Sequence, residues 1–154
     1  MHHIKAIRPS EDEDLAEGLL AIQRAAYRVE ASLIGDDRIP ALHEDVTDLR
    51  TAPLNWLGAY TSDRLTGAVA WTENADEVAI DRLIVHPAIH RRGFGRLLVQ
   101  AVLDRAGERR TLVSTGQANL PARMLYRRLG FKDLVDAEVA PGLWVTHLVH
   151  LQQL

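Results

Sequence analysis

The sequence predicts a mixed α/β (α+β) domain, and three observations carry that expectation. Segments of strand character and segments of helical periodicity both occur, but they do not alternate one for one. Three strand-like runs follow one another across short turns, which makes them antiparallel neighbours. A later strand–helix–strand succession then requires a parallel pair. The 154 residues favour one domain, residues 1–154, large enough to bury a core without disulfides or metal.

The elements follow in order. Residues 3–8, HIKAIR, read as a first strand, with Ile7 blurring the alternation of Ile4 and Ala6. Ser10 and Glu13 have capping-box spacing, and Leu15, Leu19, Ile22 and Ala26 recur at helical intervals, so a helix is expected over residues 11–30. Gly35, Asp36 and Asp37 break the pattern, and residues 40–49 read as a second, shorter helix. Residues 56–60, 65–71 and 77–85 are strand-like. A helix over residues 93–106 is closed by Gly107, and residues 111–115 form a short strand. Asn119 is placed to cap the next helix, with Pro121 in its first turn, and Gly130 ends it. Residues 131–139 and 143–150 are two strands around the turn signal Pro141-Gly142.

Composition narrows the function classes. The formal net charge is -3, against the excess of cations that general nucleic-acid binding needs. The chain has no cysteine, which excludes disulfides, Cys-ligated zinc and thiol nucleophiles. The start of the chain has no apolar signal region and no stretch has membrane-spanning length, so a soluble, cytoplasmic protein without a membrane partner is expected. The His86/His90 pair is separated by Pro87, which forbids the helix that would align them, so no metal is expected.

The most informative stretch is HRRGFGRLL, residues 90–98. A P-loop needs Lys and Ser or Thr after the last glycine, but Gly95 is followed by Arg96 and Leu97. A dinucleotide fingerprint needs a third small residue where Leu98 stands. Two readings remain: a basic turn before a helix, or a pyrophosphate site at that helix's N-terminus. For the second, Gly93 and Gly95 let the backbone approach an anion, the first-turn N–H groups lack intrahelical partners, and Arg91, Arg92 and Arg96 add cationic donors.

IDRLIVHPAIHRRGFGRLL (residues 80–98), together with NLPARMLYRRLGF (residues 119–131), resembles the acetyl-CoA core of the GNAT superfamily of N-acetyltransferases. His90 departs from the Gln or Arg usual at the head of the glycine motif, whereas Gly93 and Gly95 match it. The resemblance implies a GNAT-like fold, with a splayed parallel strand pair in a mostly antiparallel sheet and about four helices. It implies acetyl-CoA, or another acyl-CoA, as cosubstrate and no metal. It implies cofactor contacts at Leu83, Ile84 and Val85, whose backbone groups would meet the pantetheine arm, and at the loop residues Arg91, Arg92, Gly93, Phe94, Gly95 and Arg96. Asn119 matches a frequent cofactor contact, and Tyr126 a recurrent tyrosine suited to protonating the departing CoA thiolate and placed beside the cofactor.

The general base is less defined by the motif. Ala79 stands where the family often has Glu, and Ser114 occupies the matching site on the later strand. Strand alternation puts Asp81 on the face of Leu83, which makes Asp81 the expected base, with Glu73 and Glu30 in reserve. Tyr27, Glu30 and Trp56, with Ile34, Asp36 and Asp37 beyond them, are expected to line the acceptor side, although Gly-Asp-Asp-Arg also reads as a solvated turn. The expected activity is transfer of an acetyl group to a primary amine by direct attack in a ternary complex. A non-catalytic acyl-CoA sensor on the same fold is the other reading, and a modifier of large basic partners a third. Trp144 and the run LVHL suggest a possible homodimer through the last strands. The acceptor, whether polyamine, amino acid, antibiotic, peptide N-terminus or lysine, is left open by the sequence.

Overall fold

A computed structural model gives the architecture, described for residues 2–89 and 92–152. Strand β1, His2–Ile7, leads through a 3-10 turn into helix α1, Glu13–Ile34. A second 3-10 turn, Pro40–His43, precedes the short helix α2, Val46–Thr51. Strands β2 (Asn55–Thr61), β3 (Arg64–Glu73) and β4 (Glu77–Val85) form a meander. Helix α3 (Phe94–Ala106), β5 (Arg110–Gly116), helix α4 (Leu120–Arg128), β6 (Lys132–Ala140) and β7 (Leu143–His150) complete the order.

The strands form one seven-stranded sheet in the order β1-β2-β3-β4-β5-β7-β6. Every neighbouring pair is antiparallel except β4 and β5, which run parallel. That pair is brief: Glu77–Ala79 of β4 meet Arg110–Leu112 of β5, and beyond them the two strands separate. The gap this opens in mid-sheet positions everything that follows.

Apolar residues cover both faces of the sheet. On one, Leu98, Val102 and Phe94 of α3 and Tyr126 of α4 pack on Val69, Val78 and Val113. On the other, Leu19 and Ile22 of α1 and Leu49 of α2 pack on Ala68, Ala70 and Ile84. Full burial of one such aliphatic side chain contributes about 1.5–3 kcal/mol. On the outer strands, by contrast, Leu134, Val135, Val139 and Trp144 are exposed. Among the described residues no helix is long and apolar enough to cross a membrane.

Two expectations about local structure change. Asp12, not Ser10, caps α1: its Oδ1 accepts from the Leu15 N–H at 3.1 Å, while Ser10 is taken up in the preceding 3-10 turn. The helix expected over residues 40–49 is broken at Glu44, because Asp45 forms a capping box with Asp48 and starts α2 afresh.

Candidate active site

The glycine loop ends at Gly93, the N-cap of α3, which has φ of 83° and so lies in the left-handed region that penalises any side chain. Phe94 is driven into the core beside it and fixes the first helical turn. Gly95 lies where α3 meets both neighbours: a Cβ there would stand 3.4 Å from Leu125 and 3.7 Å from Leu83. Arg92 and Arg96 are exposed at this end of the helix. His90 and Arg91 lie outside the described residues.

Next to this loop, β4 offers an open backbone edge. The His86 N–H donates to Thr66 O on β3 at 2.9 Å. Backbone groups alternate sides along an antiparallel strand, so those of Ile84 also face β3 and those of Leu83 and Val85 face the gap toward β5. The Ile84 side chain is wholly buried under α1, whereas Leu83 and Val85 line a cleft of about 220 Å³. Tyr27 and Glu30 of α1 and Asn119 and Leu125 at α4 form its other walls.

Asp81 departs from the alternation expected of it. Ala70 pairs with Arg82 and Trp71 with Ile80, which leaves Asp81 as the extra residue of a β-bulge. The bulge reverses the faces. Val78 and Ile80 point into the α3 side before it, Leu83 and Val85 do so after it, and Arg82 and Ile84 turn toward α1. Asp81 and Leu83 therefore do not share a simple strand face. The Asp81 carboxylate is engaged at 2.6 Å by Nε of Arg82.

Arg82 is the centre of a buried polar cluster. Its Nη1 donates to Gln23 Oε1 at 3.0 Å and to Glu44 Oε1 at 2.6 Å, and its Nη2 donates to Glu44 Oε2 at 3.2 Å. Gln23 Nε2 in turn donates to Ala41 O and to Glu44 Oε1, each at 2.9 Å. The carboxylates of Glu44 and Asp81 hold Arg82 charged against the cost of its burial. Trp56 does not line the acceptor side. It is buried in the core with the Arg82 guanidinium 5.8 Å from its ring centroid, so it supports this cluster from below. Neither Gln23 nor Glu44 was expected at the site, although Gln23, four residues after Leu19 on the apolar stripe, is a polar residue at a core position.

A second cavity of about 290 Å³ lies on the α1 side of the gap. Ile39, Glu44, Asp81, Arg82, Ser114 and Val145 contribute to its walls. Tyr27 and Glu30 line both cavities. Oε1 of Glu30 accepts from Asn119 Nδ2 at 3.1 Å and from Thr115 Oγ1 at 3.4 Å. Asn119 also caps α4, its Oδ1 accepting from the Ala122 N–H at 3.2 Å. Gly116 makes this approach of α1 possible, because a Cβ there would lie 2.9 Å from Ile34 Cγ2. Thr115 and Gly116 carry no sequence signal that marks them for this role.

Tyr126 is buried, packed edge-on against Phe131 with ring centroids 5.3 Å apart. Burial, and then the nearby Glu30 carboxylate, push its hydroxyl well above the ordinary phenol range. The same two causes, in the same order, raise Tyr27. Both hydroxyls are therefore protonated donors at neutral pH. Ser114 lies opposite His147 on β7, with Oγ 2.5 Å from Nδ1. Asp36 is closed off by Arg38, whose guanidinium holds its carboxyl down at about 2 and also donates to Pro141 O at 2.8 Å. Glu73 pairs with Arg105 at 2.7 Å and Arg109 at 3.2 Å, and it lines neither cavity. Among the described residues no three His, Asp or Glu side chains cluster as a metal site.

The Acetyltransferase (GNAT) family matches residues 17–131, and the chain belongs to that family. It is 35% identical over 134 residues to the UPF0157 protein YqkA of Bacillus subtilis (strain 168). That alignment takes in 86% of this chain and 39% of the relative, so the chain spans about two fifths of the curated relative's length. The fold is similar to that of the ribosomal-protein-S18-alanine N-acetyltransferase from Escherichia coli, with a TM-score of 0.76, 15% identity, and 98% and 94% of the two chains covered. It is also similar to the PaiA N-acetyltransferase from Thermoplasma acidophilum in complex with coenzyme A, with a TM-score of 0.70, 15% identity and 99% of each chain covered.

Proposed function

We propose that the protein transfers an acetyl group from acetyl-CoA to a primary amine by direct attack within a ternary complex. The supporting observation is the meeting of two cavities at Tyr27 and Glu30, beside the open edge of β4. In this reading the CoA pyrophosphate rests on the first-turn N–H groups of α3 around Gly93, Phe94 and Gly95. Arg92 and Arg96 add charge, and Arg91 is assigned the same task. The pantetheine amides pair with the backbone of Leu83 and Val85, as an added strand pairs with a sheet edge. The Leu83 N–H then faces the thioester carbonyl and stabilises the oxyanion of the tetrahedral intermediate. Tyr126 supplies the proton to the departing thiolate, and its raised hydroxyl keeps that proton available at neutral pH.

The amine enters from the cavity walled by Ile39, Arg82 and Val145. A thiol nucleophile is excluded because the chain has no cysteine, which favours direct attack over an acyl-cysteine intermediate. Calorimetric titration with acetyl-CoA tests the donor half. Saturable binding that weakens on Gly95→Val is expected, and no binding at any concentration refutes the reading.

A further inference from the structure

Glu30 differs from every other charged group around the acceptor cavity. Glu44 and Asp81 are both spent on Arg82, and Arg38 is spent on Asp36. Glu30 has no cation within ion-pair distance among the described residues. Its two donors, Asn119 and Thr115, are neutral, and both address Oε1. Among the described residues no donor reaches Oε2. The carboxylate stands at the junction of the two cavities, where an acceptor nitrogen must sit to reach a thioester on the β4 edge. The other charged groups in its walls, Arg38, Glu44, Asp81 and Arg82, are paired among themselves or with Asp36, and the wall between them includes the apolar Ile34, Ile39, Val139, Leu143 and Val145.

From this placement we infer that Glu30 binds the acceptor's ammonium group and removes its proton, and that the acceptor carries that ammonium on an uncharged, apolar body. The inference rests on the acetyltransferase reading above and adds its base and its substrate class. The step balances as follows. The ammonium gives one proton to Glu30, and the freed lone pair forms the C–N bond to the thioester carbonyl carbon. The carbonyl π pair moves to oxygen and then returns as the C–S bond breaks. Sulfur takes the bonding pair and the Tyr126 proton. The second proton of the nitrogen restores the Tyr126 hydroxyl, and Glu30 releases its own proton to solvent. The products are amide, CoA thiol and one proton.

The test compares wild type with Glu30→Gln, whose amide oxygen still accepts from Asn119 and Thr115. Acetyl-CoA affinity, read by calorimetry, is expected to be unchanged, which shows a folded protein with an intact donor site. With 2-phenylethylamine as acceptor, kcat/KM is expected to fall by about 100-fold or more, the usual contribution of a general base. With 2,2,2-trifluoroethylamine, already neutral at neutral pH, the loss is expected to be much smaller, because there is no proton to remove. Wild type is expected to prefer 2-phenylethylamine to spermidine, because among the described residues the other carboxylates in the cavity walls, Glu44 and Asp81, are both paired with Arg82. If Glu30→Gln does not fold, Glu30→Asp takes its place: a loss on 2-phenylethylamine that trifluoroethylamine does not share supports the base. Equal losses on both amines, or none on either, overturn it. A preference for spermidine overturns the apolar class. A wild type that binds acetyl-CoA but acetylates no amine overturns the transfer reading itself, a result distinct from failure of Glu30 alone.

Discussion

Asn119 joins the two helices that flank the gap in the sheet: Nδ2 donates to Glu30 on α1 at 3.1 Å while Oδ1 caps α4 at 3.2 Å. The two bonds are separable by mutation. Asn119→Asp keeps the cap but sets a second carboxylate against Glu30, so turnover is expected to fall and any drop in melting temperature comes from that repulsion and not from the cap. Asn119→Ala loses the cap as well and is expected to cost about 1 kcal/mol in denaturant unfolding. Equal effects of the two variants on both readouts would show that the Glu30 contact is idle.

The approach of α1 to β5 depends on Gly116, where a Cβ would meet Ile34 Cγ2 at 2.9 Å. Gly116→Ala is expected to destabilise by about 1–3 kcal/mol through overpacking. Ile34→Ala in the same chain removes the colliding methyl and is expected to recover part of that loss. A double-mutant cycle with no coupling between the two sites would contradict the contact.

Arg82 satisfies Glu44, Gln23 and Asp81 at once. Arg82→Ala leaves the largely buried Glu44 carboxylate without its cation, held only by Gln23 Nε2, and leaves Gln23 Oε1 without a donor, at an expected cost of about 3–5 kcal/mol in unfolding free energy. Arg82→Met with Glu44→Gln, which removes both charges together, is expected to be less damaging than Arg82→Ala. A destabilisation below that of an ordinary surface substitution would mean the cluster does not hold the loop that walls the acceptor cavity.

The tyrosines set an alkaline limit. Folding raises the hydroxyls of Tyr27 and Tyr126 through burial, so their contribution is present in full below the unfolded value, about 10. Above it the unfolded chain releases two protons that the folded chain keeps. These two groups are expected to lower stability by about 2.7 kcal/mol per pH unit, about 1.36 each, and Tyr60, raised by partial burial and then by Asp12, adds in the same direction. Denaturant titrations across the alkaline range measure the slope. Tyr126→Phe is expected to reduce it by about 1.36 kcal/mol per pH unit, and an unchanged slope in that variant would contradict its burial as a neutral phenol.

Much of this was legible in the sequence, for identifiable reasons. The strands 77–85 and 143–150 have clear patterns with turn residues at their ends, and both are found at those limits. The cap at Asn119 follows from its chemistry and the proline after it. The bulge at Asp81 was not legible, because nothing in EVAIDRLIV marks one residue as surplus. The alternation of side chains reads the same with or without it. Trp56 looked like a pocket residue by type, but its strand is covered by α1 on that face, and a buried indole under an arginine has no separate sequence signature. The isolation of Glu30 from cations was equally hidden, since it is decided by which carboxylates Arg82 and Arg38 have already taken.

The most direct test of the central claim is a product analysis. The protein is incubated with acetyl-CoA and a set of primary amines, and CoA thiol, acetylated amine and the intact chain are quantified by mass spectrometry. The account predicts one N-acetylated amine for each CoA thiol released, with no acetyl group left on the protein. Bound acetyl-CoA that survives unchanged in the presence of every amine would contradict it, and would leave a sensor of acyl-CoA in place of a transferase.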